Sequence, residues 1–178
     1  GRGNYEVYCH RIGSYFIKSV DFVPYFWNEE DGEKKSEDYK VYFVSTIQNR
    51  QVLMAILNSG TFYYYWHVYG DGYHCGKAQI ECYRVTLPIT ERLVKQLCNL
   101  SGLLAKDYNA NSHRRETQYK STGKVIYDEL YPKLSKSIID QIDRVLAKHY
   151  GFTDEELDFI INYDIKYRMG KDAEEEDN

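Results

Sequence analysis

The sequence predicts an α+β fold in which a mixed sheet of short strands packs with helices and is followed by a helical C-terminal portion. Three observations lead to this prediction. Short β-favouring runs lie within residues 1–88, helical periodicity dominates residues 89–168, and residues 169–178 form an acidic tail. With 178 residues, 43% of them hydrophobic, the chain is long enough for one domain with its own core.

β-favouring residues cluster in four short runs: 5–9, 15–20, 40–45 and 80–85. The first two are expected to pair as a hairpin, and its turn exposes His10 and Arg11. Residues 21–38 are expected to form a loop, because Pro24 interrupts regular structure and the segment after it is highly charged. The sheet is therefore expected to draw its strands from the first half of the chain.

Two consecutive helices are expected between the third and fourth runs. Ser45 and Gln48 have the spacing of a capping box that begins the first helix, and Ser59 is expected to cap the second. The second helix is aromatic and ends near Gly70, although its composition also suits a strand. Seven apolar side chains are expected to face the core: Val52, Leu53, Ile56, Leu57, Phe62, Trp66 and Tyr69.

Residues 89–168 are expected to contain three helices and one polar loop. Thr90 begins the first helix, and a basic loop over 109–124 follows it. The second helix spans 133–149, and Thr153 and Glu156 form the capping box of a short third helix. The apolar residues expected to point inward are Leu93, Val94, Leu97, Leu100, Leu104, Leu134, Ile138, Ile142, Val145 and Leu146.

The net charge of −4 hides an uneven distribution of charge. Residues 151–178 hold 10 of the 27 acidic residues and 3 of the 23 basic ones, which leaves 17 acidic and 20 basic residues in 1–150, a net charge of +3. The basic loop combines Arg and Lys side chains with Asn, Gln, Ser and Thr, which supply both phosphate-neutralising and base-edge groups. A loop that is merely solvated has the same composition.

The sequence contains no recognisable catalytic or cofactor motif. It lacks a G-x-S-x-G elbow, a P-loop, an H-E-x-x-H pair and a dinucleotide fingerprint, so we expect neither a catalytic site nor a bound cofactor in this chain. Its four cysteines form no C-x-x-C pair and follow no signal peptide, which indicates reduced thiols, no metal site and a cytoplasmic protein. No apolar run reaches the roughly 18 residues of a membrane span.

A nuclease is a weaker alternative. It depends only on Glu33-Lys34-Lys35, which matches half of a metal-dependent nuclease motif, whereas a solvated charged run explains the same residues.

Three parts of the sequence resemble the C-terminal region of bacterial restriction–modification adenine methyltransferases, including type IIG enzymes with a TaqI-like specificity domain. The first is Leu57-Asn-Ser-Gly-Thr-Phe-Tyr-Tyr-Tyr-Trp66 with Asp71-Gly-Tyr-His74, and the second is Lys136-Ser-Ile-Ile-Asp140. The third and most specific is the segment 149–168, which contains Tyr-Gly-Phe-Thr-Asp-Glu-Glu-Leu-Asp-Phe-Ile and ends in Lys-Tyr-Arg.

The resemblance implies a target recognition domain that selects a short double-stranded DNA sequence for a catalytic methyltransferase part, with or without a fused nuclease. The Asn/Asp-Pro-Pro-Tyr/Phe motif of the methyltransferases does not occur here, so this chain is not expected to methylate DNA by itself. S-adenosylmethionine would be the cofactor of the parent enzyme. The Gly-Arg-Gly start agrees with a piece of a larger protein. The residues expected to contact DNA are His10, Arg11, Tyr73, His74, Lys77, Arg114, Arg115, Lys120 and Lys124.

The second hypothesis is a protein–protein docking module. In that case the apolar helical faces over 93–104 and 138–146 assemble the methyltransferase or nuclease subunits without reading bases. In either case the aromatic helix is expected to be a packed wall of the domain, because duplex DNA keeps its bases stacked and offers edges and phosphates instead.

Overall fold

A computed structural model describes residues 3–85, 88–121 and 123–170. It confirms the α+β class: two small antiparallel sheets are combined with helices, and helices dominate toward the C-terminal part. Most of the predicted acidic tail, residues 171–178, lies outside the described residues. The strands are β1 (Tyr5–His10), β2 (Ser19–Val20), β3 (Phe26–Asn28), β4 (Gly32–Glu33), β5 (Tyr39–Val44), β6 (His113–Tyr119) and β7 (Gly123–Glu129).

Seven α-helices accompany the strands: α1 (Ile47–Asn58), α2 (Gly60–Tyr69), α3 (Lys77–Cys82), α4 (Glu91–Ala110), α5 (Lys136–Tyr150), α6 (Asp154–Asn162) and α7 (Ile165–Arg168). A 3-10 turn, Pro132–Ser135, precedes α5. α1 packs on the first sheet and on α4 and α5, while α2 packs on α5 and α6. The core therefore lies between the first sheet and this group of helices.

The first sheet has the strand order β2-β1-β5. β1 and β2 pair as predicted, but only Ser19 and Val20 of the expected 15–20 strand join the sheet. The segment between β1 and β2 turns away from the first sheet. Within it, Ile12 forms a β-bridge with His74, in the loop after α2. The predicted strand over 40–45 is confirmed as β5.

The second sheet, in the order β4-β3-β7-β6, contains two segments for which the loop prediction is wrong. Within 21–38, β3 and β4 form a hairpin whose turn is closed by side chains. The Asn28 Oδ1 atom accepts from the amide of Asp31 (2.6 Å), and Gly32 follows with φ of 74°. Composition alone missed this turn, because the charged residues that suggest a loop also stabilise it.

The basic segment 109–124 contains β6 and the start of β7 instead of a loop. Arg114 lies directly opposite Asp128 in the β6–β7 ladder, and Gln118 lies opposite Lys124. Opposite charges on facing positions stabilise an antiparallel pair. Asp128 lies after the basic segment 109–124 in the sequence. The positive charges of the segment therefore look unpaired when the segment is considered by itself.

The predicted strand over 80–85 is also wrong, because residues 77–82 form α3. The side chain of Gln79 accepts from the amide of Gly76 (3.0 Å) at the helix start, and Lys77 lies 3.5 Å from Glu81 one turn later. These local interactions favour the helix over the β propensity of this short apolar segment.

The first two helices form as predicted, with two corrections. α1 is capped by Thr46 instead of Ser45, since the Thr46 hydroxyl accepts from the amide of Asn49 (3.0 Å). Tyr69 is not a core residue: it is 78% exposed at the end of α2, whereas Tyr63 is buried. The buried face of α2 runs along its first two turns and includes Phe62 and Trp66, as predicted.

α4 and α5 pack against each other through their predicted apolar faces, with Leu97, Leu104 and Ile142 fully buried. Leu134 is the exception, because it lies in the 3-10 turn and is 55% exposed. α5 ends at Gly151, whose φ is 73°. The capping box of α6 is confirmed: Glu156 and Thr153 exchange hydrogen bonds of 2.8 and 3.2 Å.

Candidate nucleic-acid interface

Two loops from distant parts of the sequence pair with each other at one edge of the molecule. The amide of Gly13 donates to the carbonyl of Tyr73 (2.9 Å), and the amide of Cys75 donates to the carbonyl of Arg11 (2.8 Å). The first loop follows β1 and the second connects α2 to α3. Their pairing brings together five of the nine predicted DNA-contacting residues: His10, Arg11, Tyr73, His74 and Lys77.

Asp71 organises the second loop. One carboxylate oxygen accepts from the amides of Tyr73 (2.9 Å) and His74 (2.6 Å), and the other lies 2.7 Å from His74 Nδ1. The His74 side chain and these two amides lower the pKa of Asp71 to about 2. The indole of Trp66 donates to the His74 carbonyl (2.8 Å), so the core helix holds the loop directly. The His74 ring is thereby presented with 59% of its side chain exposed.

A shallow pocket of about 360 Å³ lies beside these loops, lined by Arg11, Lys40, Val41, Tyr42, His74, Gly76 and Lys77. Two of its cations are paired: Arg11 Nε lies 2.8 Å from Asp38, and Lys77 lies 3.5 Å from Glu81. Lys40 forms no ion pair with any residue that the structure describes. The pocket is therefore a mildly basic surface with an apolar floor.

The other four predicted residues lie on or beside the β6–β7 hairpin: Arg114, Arg115, Lys120 and Lys124. Successive side chains of a strand point to opposite faces, so Arg114 and Arg115 do not act on one surface. Arg114 shares its face with Glu116, Gln118 and, through the register, Lys124. This outer face is solvent-exposed along β6.

Each arginine of β6 is held by a carboxylate of β7. Arg114 makes two hydrogen bonds to Asp128, of 2.8 and 3.0 Å, and its guanidinium lies 3.8 Å from the centre of the Tyr25 ring. Arg115 donates to Glu129 (2.9 Å). These pairs fix both guanidinium groups before any ligand binds and cancel much of their charge.

The two predicted lysines of the hairpin differ from each other. Lys124 Nζ lies 2.8 Å from Glu116 across the ladder. Lys120 is exposed near the turn and forms no ion pair with another described residue. Of the four, Lys120 thus offers the most available charge.

A cleft of about 490 Å³ separates the two sheets and connects both groups of predicted residues. His10, Lys18 and Asp38 line it from one side, and Asp128 and Glu129 line it from the other. Burial lowers the pKa of His10 and of Lys18, because it disfavours the charged form of each. Asp38, Asp128 and Glu129, the ion-pair partners of Arg11, Arg114 and Arg115, are thus all among the residues that line this cleft.

Sequence reasoning missed a buried polar network beneath this surface. Asp143, on α5, is 1% exposed and accepts from the amide of Gly60 (2.8 Å) and from the amide and hydroxyl of Thr61 (2.9 and 2.8 Å) at the start of α2. Burial raises the pKa of Asp143 despite these donors. No signal marked it, since an acidic residue on an amphipathic helix usually faces solvent.

Two further buried polar residues, Asn58 and Arg168, contact the first sheet and the segment before β2. Asn58 exchanges hydrogen bonds with the backbone of Ser19, of 3.1 and 2.7 Å. The guanidinium of Arg168 is buried between the rings of Phe16 and Tyr63, at 4.4 and 4.2 Å from their centres. The three segments that carry the family resemblance contact one another through Lys136, which donates to the Ile161 carbonyl (3.0 Å), and through Arg168 on the Tyr63 ring. Among them, the Asp71–His74 part lies at the candidate surface.

The described residues contain no group of three or more His, Cys, Asp or Glu side chains placed to hold a metal ion. Glu33, Lys34 and Lys35 lie at β4, where Lys34 is bonded to Asp31 at 2.6 Å. Among the described helices, none is both long and apolar enough to cross a membrane.

Comparison with known proteins gave no match to a family model, to a curated protein or to a solved structure.

Proposed function

We propose that this chain is a double-stranded DNA recognition module of a bacterial restriction–modification adenine methyltransferase and is non-catalytic by itself. The observation that carries the proposal is the outer face of β6, where Arg114, Glu116 and Gln118 follow one another at every second position. The major groove, about 12 Å wide, admits a two-stranded β-ribbon. Arg, Glu and Gln are the side chains that pair with guanine, cytosine and adenine edges respectively.

The ion pairs on this ribbon are compatible with DNA binding. The Lys124–Glu116 pair is a single exposed contact that contributes little to stability, so a phosphate can replace Glu116 at small cost, whereas two hydrogen bonds to Asp128 keep Arg114 ordered. In the absence of DNA, the same carboxylates keep the side chains ordered. We therefore assign base reading to Arg114 and Gln118, and phosphate neutralisation to Lys120 and Lys124.

The paired loops supply a second contact surface. His74 is fixed by Asp71 and by the core residue Trp66, and it lies beside Arg11 and Lys77 in the basic pocket. Loops held on a rigid scaffold are suited to presenting recognition residues. The catalytic part and its S-adenosylmethionine would belong to the rest of the parent enzyme.

The proposal is tested by selecting bound duplexes from a random library with the wild type, Gln118→Ala and Lys124→Ala. Loss of a base-reading residue should relax the selected sequence at one position, whereas loss of a phosphate contact should weaken binding of all sequences alike. A wild-type pool without any sequence preference, also after the chain is joined to a methyltransferase catalytic part, would contradict the proposal.

The two faces on which the docking alternative was based are largely packed inside this chain, which argues against docking through them. The faces over 93–104 and 138–146 pack against each other and against α1 inside this chain. Leu97, Leu104 and Ile142 are fully buried, so they are unavailable to a partner.

A further inference from the structure

A second cleft, of about 570 Å³, lies between α2, the segment after α3 and the α5–α6 junction. Six aromatic side chains line it: Tyr64, Tyr65, Tyr83, Tyr150, Phe152 and Phe159. It shares no lining residue with the pocket or the cleft beside the predicted DNA-contacting residues. Its size falls within the range of ligand-binding sites.

The rings are arranged as walls that leave the space between them open. On one side Tyr64 and Phe159 meet edge to face, with their centres 5.3 Å apart. On the other, Tyr150 and Phe152 are stacked, with centres 5.4 Å apart. Phe159 is 51% exposed, so a large apolar surface faces the cleft opening.

The charges around the cleft select the sign of its ligand. Glu155 and Glu156 line it from the first turn of α6, which also contains Asp154, and Arg84 is the one cation among the lining residues. Glu155 makes no ion pair with any other described residue, whereas Glu156 is held by its bond from the amide of Thr153. The lining thus has two carboxylates against one cation, a net charge of −1, and together with the aromatic faces it favours an organic cation over a phosphate.

We propose that this aromatic cleft binds an arginine side chain presented by another protein, with the guanidinium stacked on a ring and directed toward Glu155. Arginine fits better than lysine because its planar group stacks on aromatic faces. The chain itself makes close contacts of this kind, since Arg168 lies between Phe16 and Tyr63, and Arg114 lies over Tyr25. The site is separate from the DNA surface and does not depend on the function proposed for it.

The test uses two synthetic peptides, acetyl-Ala-Leu-Arg-Leu-Ala-amide and its counterpart with citrulline, the neutral analogue of arginine. Binding to the full chain is followed by NMR shifts of the aromatic side chains. The arginine peptide should bind about tenfold more tightly, which corresponds to about 1.4 kcal/mol. Equal binding of the two peptides, or no binding of either at millimolar concentration, would overturn the proposal.

Variants locate the interaction. Phe159→Ala and Glu155→Gln should each reduce the preference for arginine, whereas Tyr119→Ala should leave it unchanged, since Tyr119 is an exposed aromatic of β6 outside the cleft. If Phe159→Ala fails to fold by circular dichroism, Glu155→Gln decides alone, because its side chain is on the surface. An unaltered preference in Glu155→Gln, or binding of adenosine monophosphate that depends on the same residues, contradicts the assignment.

Discussion

The same substitution at two glycines should have opposite effects on stability. A β-carbon on Gly60 would lie 2.7 Å from Asp143 Oδ2 and 3.4 Å from the carbonyl oxygen of Ile160. Asp143 is buried and bonded to Thr61, so it has little room to withdraw. Overpacking of this kind costs about 1–3 kcal/mol. At Gly102, within α4, a β-carbon meets nothing within 4 Å, so Gly102→Ala should stabilise by about 0.5–1 kcal/mol.

The assay is thermal unfolding followed by far-UV circular dichroism, with urea unfolding as a check on the m-value. For a chain of this length, 1 kcal/mol corresponds to about 2–4 °C in Tm. Gly60→Ala should lower Tm by about 2–12 °C and Gly102→Ala should raise it by about 1–4 °C. A neutral or stabilising Gly60→Ala would refute the close contact between α2 and α5 on which the buried network depends.

Three further outcomes are expected. Trp66→Ala should destabilise the fold by about 3–5 kcal/mol in urea unfolding, because Trp66 is fully buried. His74→Ala, at the surface, should shift Tm by less than about 2 °C. Similar losses of stability in the two variants would contradict the assignment of Trp66 to the core and His74 to the surface. The pKa of His10 is lowered from 6.5, mainly by burial. As the pH falls, His10 is therefore protonated in the unfolded state before it is protonated in the folded state. The free energy of unfolding should decrease as the pH falls below 6.5, less steeply in His10→Gln than in the wild type. Parallel pH profiles of the two proteins would contradict this. Arg114→Ala should lower Tm by about 4 °C or less, because it removes one facing charge pair, and should change the bases selected from the duplex library.

Five of the seven described helices, α1, α2, α4, α5 and α6, were predictable because their signals are local, whereas α3 was expected to be a strand. Apolar spacing and caps such as Ser59 and Thr153 act within one or two turns, and the structure follows them. The errors at the helix ends have local causes as well. Leu134 belongs to a 3-10 turn that shifts the helical phase, and Tyr69 lies beyond the part of α2 that the core covers.

The second sheet was not predictable in the same way, because its strands depend on distant partners. β3 is flanked by β4 and by β7, which follows about a hundred residues later in the chain. A short, charged strand such as β6 has little β propensity of its own and is stabilised by facing carboxylates such as Asp128. Local composition contains no information about such a partner.

The candidate surface was predicted in part. Arg11, His74 and Lys77, three of the residues expected to contact DNA, line one pocket. The sequence did not show that Arg114 and Arg115 point to opposite faces, since this follows from the strand that replaced the predicted loop. The salt bridges to Asp128 and Glu129 were missed for the same reason, and they make the surface less basic than the segment 109–124 alone suggests.

The salt dependence of duplex binding is the most direct test of the proposed DNA surface. Lys124 and Lys95 form a comparable pair: each makes one ion pair, with Glu116 at 2.8 Å and with Glu91 at 2.9 Å, and their side chains are 40% and 71% exposed. The slope of log K against log salt is negative for a DNA-binding protein. Measured on a random duplex, its magnitude should decrease by about 0.9 in Lys124→Ala and should not change in Lys95→Ala. Binding that is insensitive to salt, or equal slopes for the two variants, would contradict DNA recognition by the β6–β7 hairpin.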